Sequence, residues 1–179
     1  MAITHTFVSA VEDGADETLV RPSNWNADHS GIITTPKTAD ETVNNSNTLQ
    51  NDDDLLFAIG TVGTWAFRIV LFYHGNAAQD IKFAITVPAA ATLCWSMGAG
   101  LWQINDIWVS SNVIITSGSG VATHTIAAGE GSARACVLNG WVKSGGTAGN
   151  VQLQWAQLTA AANDTIVMEE SYLIAHQLA

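Results

Sequence analysis

The segment TWAFRIVLFYH alternates along its whole length. Trp65, Phe67, Ile69, Leu71 and Tyr73 fall on one side of an extended chain, and Ala66, Arg68, Val70 and Phe72 on the other. A period of two marks a strand, because successive side chains point to opposite faces of the pleat. Both faces here are largely apolar. Such a strand belongs in the middle of a sandwich, or in a subunit whose outer sheet packs on another subunit. In NVQLQWAQL the faces separate, with Val151, Leu153 and Trp155 opposite Gln152, Gln154 and Ala156. That pattern predicts one face on a core and one that is polar but uncharged.

The rest of the chain after residue 42 has the same texture, β-branched and aromatic residues broken by Gly-, Ala- and Asn-rich turns at the spacing of a sandwich or barrel. The predicted strands are Thr42–Leu49, Leu55–Ile59, Thr64–Tyr73, Asp80–Val87, Thr92–Met97, Asn112–Thr116, Ala122–Ala127, Ala133–Lys143, Val151–Leu158 and Ser171–Gln177. No stretch has a convincing helical period, so the expected class is all-β.

Residues 4 to 42 differ. They hold neither period for long, and their turn formers cluster in EDGAD, RPSNWNADHSG and TTPKTADE. Yet Phe7, Val8, Leu19, Val20 and Trp25 are scattered through them. A segment with apolar residues and no core of its own becomes ordered by lying in grooves of a partner, and Pro22 limits regular pairing there. The expected organisation is an attachment arm over residues 1–41 and one β-sandwich domain over residues 42–179.

Length supports one core plus an extension. Charged residues make up only 12% of the 179, about half the usual share, so the surface must be covered by Thr, Ser, Asn, Gln and Gly or by other subunits. Six of the seven tryptophans lie beyond residue 42. Each buries on the order of 200 Å², more than one such domain hides comfortably, so either neighbouring subunits cover some of them or a few sit half-exposed in loops such as GLWQINDIW.

The net charge of −10 is uneven: residues 1 to 54 carry ten acids against Arg21 and Lys37, and the remainder six acids against four bases. Phosphate backbones are repelled by such a surface, which argues against nucleic-acid binding. No apolar run reaches the roughly 20 residues of a membrane span, and the N-terminus lacks the pattern of a signal peptide. Expression in a cytoplasm, with no membrane partner, is the expectation.

Few stretches suggest chemistry. Asp52, Asp53 and Asp54 are hard oxygen donors of the kind calcium accepts, but the spaced ligands of a calcium loop are absent, and a solvated turn is the expected reading. His5, His29, His74, His124 and His176 form no metal-ligand spacing. The SGSG stretch at Ser117–Gly120 lacks the setting of a nucleophile elbow or a phosphate loop and reads as a connection between strands. Trp102, Asn105 and Trp108 in LWQINDIW suit a sugar, or equally serve as loop anchors or subunit contacts. A glycosidase needs two converging carboxylates, for which Asp106 with Glu130 is a conceivable pair. Cys94 and Cys136 read as small buried hydrophobes, a disulfide requiring neighbouring strands. No enzyme activity and no cofactor are expected.

The opening segment HTFVSAVEDGADETLVRPSNWNADH, with its Asp13, Gly14, Asp16, Pro22, Ser23, Trp25, Asn26 and His29, resembles an N-terminal segment of structural proteins of tailed bacteriophages. NNSNTLQNDDDLLFAI, DIKFAITVPAAATL and ESYLIAHQL resemble the β domains of phage head-decoration and fibre proteins. The resemblance implies a jelly-roll or tumour-necrosis-factor-like sandwich, commonly trimeric, in a virion assembled in the host cytoplasm. It implies a capsid decoration protein docked through Phe7, Val8, Leu19, Val20, Pro22, Trp25 and His29 on capsid or tail proteins. The alternative is a tail or head fibre protein that binds a host glycan or receptor.

Overall fold

A computed structural model of the chain describes residues 31–75, 79–100, 110–117, 124–126 and 133–178, with Glu12, Gly14, Ala15, Arg21 and Ser23. Twelve strands lie within them: β1 (Ile32–Pro36), β2 (Glu41–Val43), β3 (Gln50–Ile59), β4 (Thr64–His74), β5 (Ile81–Thr86), β6 (Thr92–Gly100), β7 (Ser110–Ser117), β8 (His124–Ile126), β9 (Arg134–Lys143), β10 (Gly149–Gln157), β11 (Thr165–Val167) and β12 (Tyr172–Gln177). The chain is all-β, as the alternation predicts.

One rule governs the pairing. β1 pairs with β12, β2 with β11, β3 with β10, β4 with β9, β5 with β8 and β6 with β7, all antiparallel. The chain is therefore a single long hairpin, its two halves side by side and its far end at β6 and β7. Rolling that hairpin up brings β4 against β12 and β11, β5 against β10, and β6 against β9. The result is a larger sheet ordered β1-β12-β4-β9-β6-β7, with β11 and β2 beside it, and a smaller sheet ordered β3-β10-β5-β8. This winding is a jelly roll, a two-sheet answer to the problem of open strand edges.

The core fills the space between the sheets. Trp65, Phe67, Ile69, Leu71 and Tyr73 of β4 are buried from one side, and Phe57, Phe83, Leu153 and Trp155 from the other. The Phe57 ring lies 5.9 Å from both Trp65 and Phe67, and Tyr73 meets Phe83 edge-on at 5.8 Å, arrangements that aromatic quadrupoles favour. Gly140 of β9 is paired with Phe67 on one side and Trp95 on the other. A methyl group there would fall against the Phe67 ring and the Cys94 carbonyl. Gly140→Ala is expected to destabilise by about 1–3 kcal/mol through overpacking, measured as a lower urea midpoint at unchanged slope.

Several expectations are corrected. The sheet begins ahead of the boundary placed at Thr42: β1 contributes five residues paired to β12. The strand expected over Thr42–Leu49 stops at Val43. Asn45 turns the chain with φ of 49°, and Asn44 donates to Ala162 O and Asp164 Oδ1, each at 2.7 Å. These long-range bonds hold the turn after β2 against the segment that precedes β11. The strand expected over Leu55–Ile59 starts earlier, at Gln50, and so includes the three consecutive aspartates. β11 was not anticipated at all.

The cysteines are both free, Cys136 buried and Cys94 half-buried. Their strands are neighbours, but Cys94 is paired with Trp141 and Cys136 with Ala99. Five residues of offset separate them by about 17 Å along the strand, beyond the roughly 7 Å Cα limit of a disulfide. Burial pushes the Cys136 thiol well up from its ordinary value, so it stays protonated and inert.

Candidate functional site

Two places combine chemistry with position, and the first is the aspartate run. On β10, Gln152 is paired with Leu56 and Gln154 with Asn51. Two residues of β10 thus span five of β3, and the excess bulges out over Asp52 to Leu55. A bulge frees ladder amides, and here the Asp52 side chain takes them. Its Oδ1 accepts from Leu55 N at 2.9 Å and Asp54 N at 3.1 Å. The expectation of a solvated turn fails for this reason: Asp52 has no exposed surface.

The connection from β1 to β2 docks on this bulge. Lys37 Nζ donates to Asp52 Oδ2 at 3.0 Å and to Glu41 Oε2 at 2.8 Å, with only 1% of the lysine side chain exposed. Thr38 donates to Asp54 Oδ2 through its amide at 2.8 Å and its hydroxyl at 3.1 Å. Glu41 is held through Oε1 by Gln50 Nε2 at 2.8 Å, and its Oε2 also accepts from Asp53 N at 3.2 Å. Burial pushes the Lys37 ammonium down, but its bonds to Glu41 and Asp52 and their charges outweigh that, and the net direction is up. The group ties the edge strand of the larger sheet to the edge strand of the smaller. Among the described residues no three His, Cys, Asp or Glu converge where a metal ion would sit; Asp52 and Asp54 are engaged by the lysine, a threonine and backbone amides.

The second place is the outward side of the larger sheet. Cross-strand pairing sets His176, Ala66, Trp141 and Cys94 in one row, Ile174, Arg68 and Asn139 in the next, and Tyr172, Val70 and Val137 in a third. Trp141 is 40% exposed, Tyr172 and Ile174 38% each, and Ile32, at the edge, 37%. Arg68 lies at the centre of this face and Lys143 at its rim; no acid stands on it among the described residues. The outward side of the smaller sheet is the opposite in kind. It carries Asn51, Thr86, Gln152 and Gln154, and Gln154 donates to Asn51 Oδ1 at 2.7 Å while Gln152 donates to Asp52 O at 3.1 Å. One face satisfies its own polar groups and the other leaves apolar side chains to water.

The residues expected from sequence fall unevenly. Phe7, Val8, Leu19, Val20, Pro22, Trp25 and His29 of the arm lie outside the described residues, as do Trp102, Asn105 and Trp108, which follow β6, and the pair Asp106 and Glu130. Of the tryptophans that are described, Trp65, Trp95 and Trp155 are core residues and Trp141 is on the outward face. Sequence reasoning missed Lys37 and Glu41; their one signal was a lysine four residues before a glutamate in an otherwise acidic stretch.

No protein-family model matches the chain, and no curated protein does. Among solved structures the chain is similar to one described as the structure of infectious bursal disease virus, Gx strain. The identity is 10% over 95% of this chain and 43% of that one, with a TM-score of 0.21. This chain thus spans less than half of that chain's length, and at such a score the likeness fixes neither fold nor function.

Proposed function

We propose that the protein is a structural component of a tailed-phage virion, a trimeric capsid decoration protein attached through its N-terminal arm. The observation that carries the self-association is the apolar outward face of the larger sheet. Contiguous exposed apolar side chains on a small domain mark an interaction surface. The phage assignment rests on the resemblance of residues 4–30.

Oligomerisation has a direct test. Ile174→Asp, at the middle of the face, is expected to convert the protein to monomers in analytical ultracentrifugation without changing its circular dichroism. Cys94 sits on the same face beside Trp141 and reports its coverage: alkylation is expected to be slow in wild type and rapid in Ile174→Asp. A wild type that sediments as a monomer, with Cys94 labelled quickly, overturns the self-association.

Position in the particle is tested separately, by copy number in purified virions. Hundreds of copies per head fit decoration. A handful, located at the tail, favours the fibre reading, in which residues 101–109 between β6 and β7 meet a host glycan.

A further inference from the structure

We infer that Lys37 and Asp52 are poised to form an intramolecular amide, with Glu41 as the proton-transfer group. The cluster places an amine, a carboxyl group, an acid–base carboxylate and oxyanion donors within contact of one another, with the reacting amine and carboxyl group shut off from water. Lys37 Nζ is 3.0 Å from Asp52 Oδ2 and 2.8 Å from Glu41 Oε2, and the lysine and aspartate side chains are 1% and 0% exposed. The other oxygen of Asp52 is aimed at the Leu55 and Asp54 amides at 2.9 and 3.1 Å. Fixed donors of this kind stabilise charge developing on a carbonyl oxygen, and holding nucleophile and electrophile together removes the entropic part of the barrier.

The step balances without any co-reactant. The resting state is the ion pair, and the 3.0 Å contact from Nζ to Oδ2 is the path along which a proton can pass. Proton transfer from Nζ to Oδ2 makes the neutral amine and acid. The amine then attacks Cγ, and Oδ1 takes the charge against the two amides. Glu41 Oε2 removes a second proton from Nζ and delivers it to Oδ2. The Cγ–Oδ2 bond breaks, Oδ2 leaves as water, and Glu41 is again a carboxylate. An ammonium and a carboxylate have become an amide and water, with no change of oxidation state.

The place suits the product. Lys37 follows β1, the strand into which the N-terminal arm runs, and Asp52 lies in β3 of the other sheet. A covalent bond there passes any load on the arm to both sheets instead of peeling β1 from β12.

The test is the intact mass of the full chain, held at neutral pH until it stops changing. Wild type is expected to be lighter than its sequence by about 18 Da, one water, and digestion to yield a branched peptide joining Lys37 to Asp52. Lys37→Arg and Glu41→Gln are expected at their full sequence masses. A wild type of full mass overturns the inference. So does a water loss that persists in Lys37→Arg or maps to Asp13–Gly14, where a backbone succinimide loses the same mass. Full water loss in Glu41→Gln removes Glu41 from the step and overturns its assigned role.

Discussion

Removing residues 1–30 is expected to leave the β domain folded and its oligomeric state unchanged, whereas removing residues 1–40 is expected to cost more than about 5 kcal/mol of stability. The difference lies in ten residues. The shorter deletion stops before β1. The longer one strips β1 from β12, together with Ile33, which packs on the core, and the backbone bond from Lys37 N to Ser171 O at 2.7 Å. It also removes Lys37 itself. The bulge then loses both the cation opposite Asp52 Oδ2 and the segment docked over it, and breaking a buried ion pair from one side alone costs about 3–5 kcal/mol where the remaining charge stays covered. Urea unfolding of the three forms checks the stability, and sedimentation checks the assembly. Under the proposed function, binding to undecorated particles is expected to be lost in both truncations, because the arm is absent from both. If full-length protein proves oligomeric and the 1–30 deletion makes it monomeric, the arm, acidic and dotted with apolar residues, is what covers the outward face with its Arg68 and Lys143.

What was legible in the sequence is what depends on one strand at a time. The alternation of β4 and β10 reports which side of each strand faces the core, and the structure places Trp65, Phe67, Val151, Leu153 and Trp155 accordingly. The apolar outward side of β4 was legible too. The face as a whole was not, since Trp141, Tyr172 and Ile174 join it only through the register of β9 and β12 with β4. β1 was read as arm because IITTP has too few residues to show a period, and its place is fixed by β12, far along the chain. The Asp run misled for a related reason. Its acids read as solvated, but the bulge opposite Gln152 and Gln154 and the segment docked over it bury Asp52, and both depend on residues outside the run.

The nested pairing adds a constraint on folding. A hairpin that closes first at β6 and β7 brings β5 to β8 next, then β4 to β9, and so outward, each pairing shortening the loop that the next must close. The pair β1·β12, nearly the whole chain apart, is last in that order. The polar cluster around Lys37 joins the structure at that final stage, and it fixes β1 from the other sheet, where β12 alone holds only one edge.

Lys37→Met is therefore expected to destabilise by about 3–5 kcal/mol, whether the wild-type pair is held as ions or as an amide. The cost arises from what is left behind more than from what is lost. Methionine fills much of the lysine's volume and needs no partner, but Asp52 Oδ2 and Glu41 Oε2 remain close together, both negative, with Asp52 fully buried. A second substitution isolates that term. Asp52→Asn keeps an oxygen to accept from the Leu55 and Asp54 amides, so the bulge is preserved, and it removes the buried charge. The double variant Lys37→Met/Asp52→Asn is expected to be more stable than Lys37→Met alone, by at least about 1–2 kcal/mol, the cost of leaving a buried polar group unsatisfied. Urea midpoints of the two variants decide it. A double variant no better than the single would mean that Asp52 finds another cation or water when Lys37 is gone, and that the edge of the sandwich opens there more readily than its burial implies.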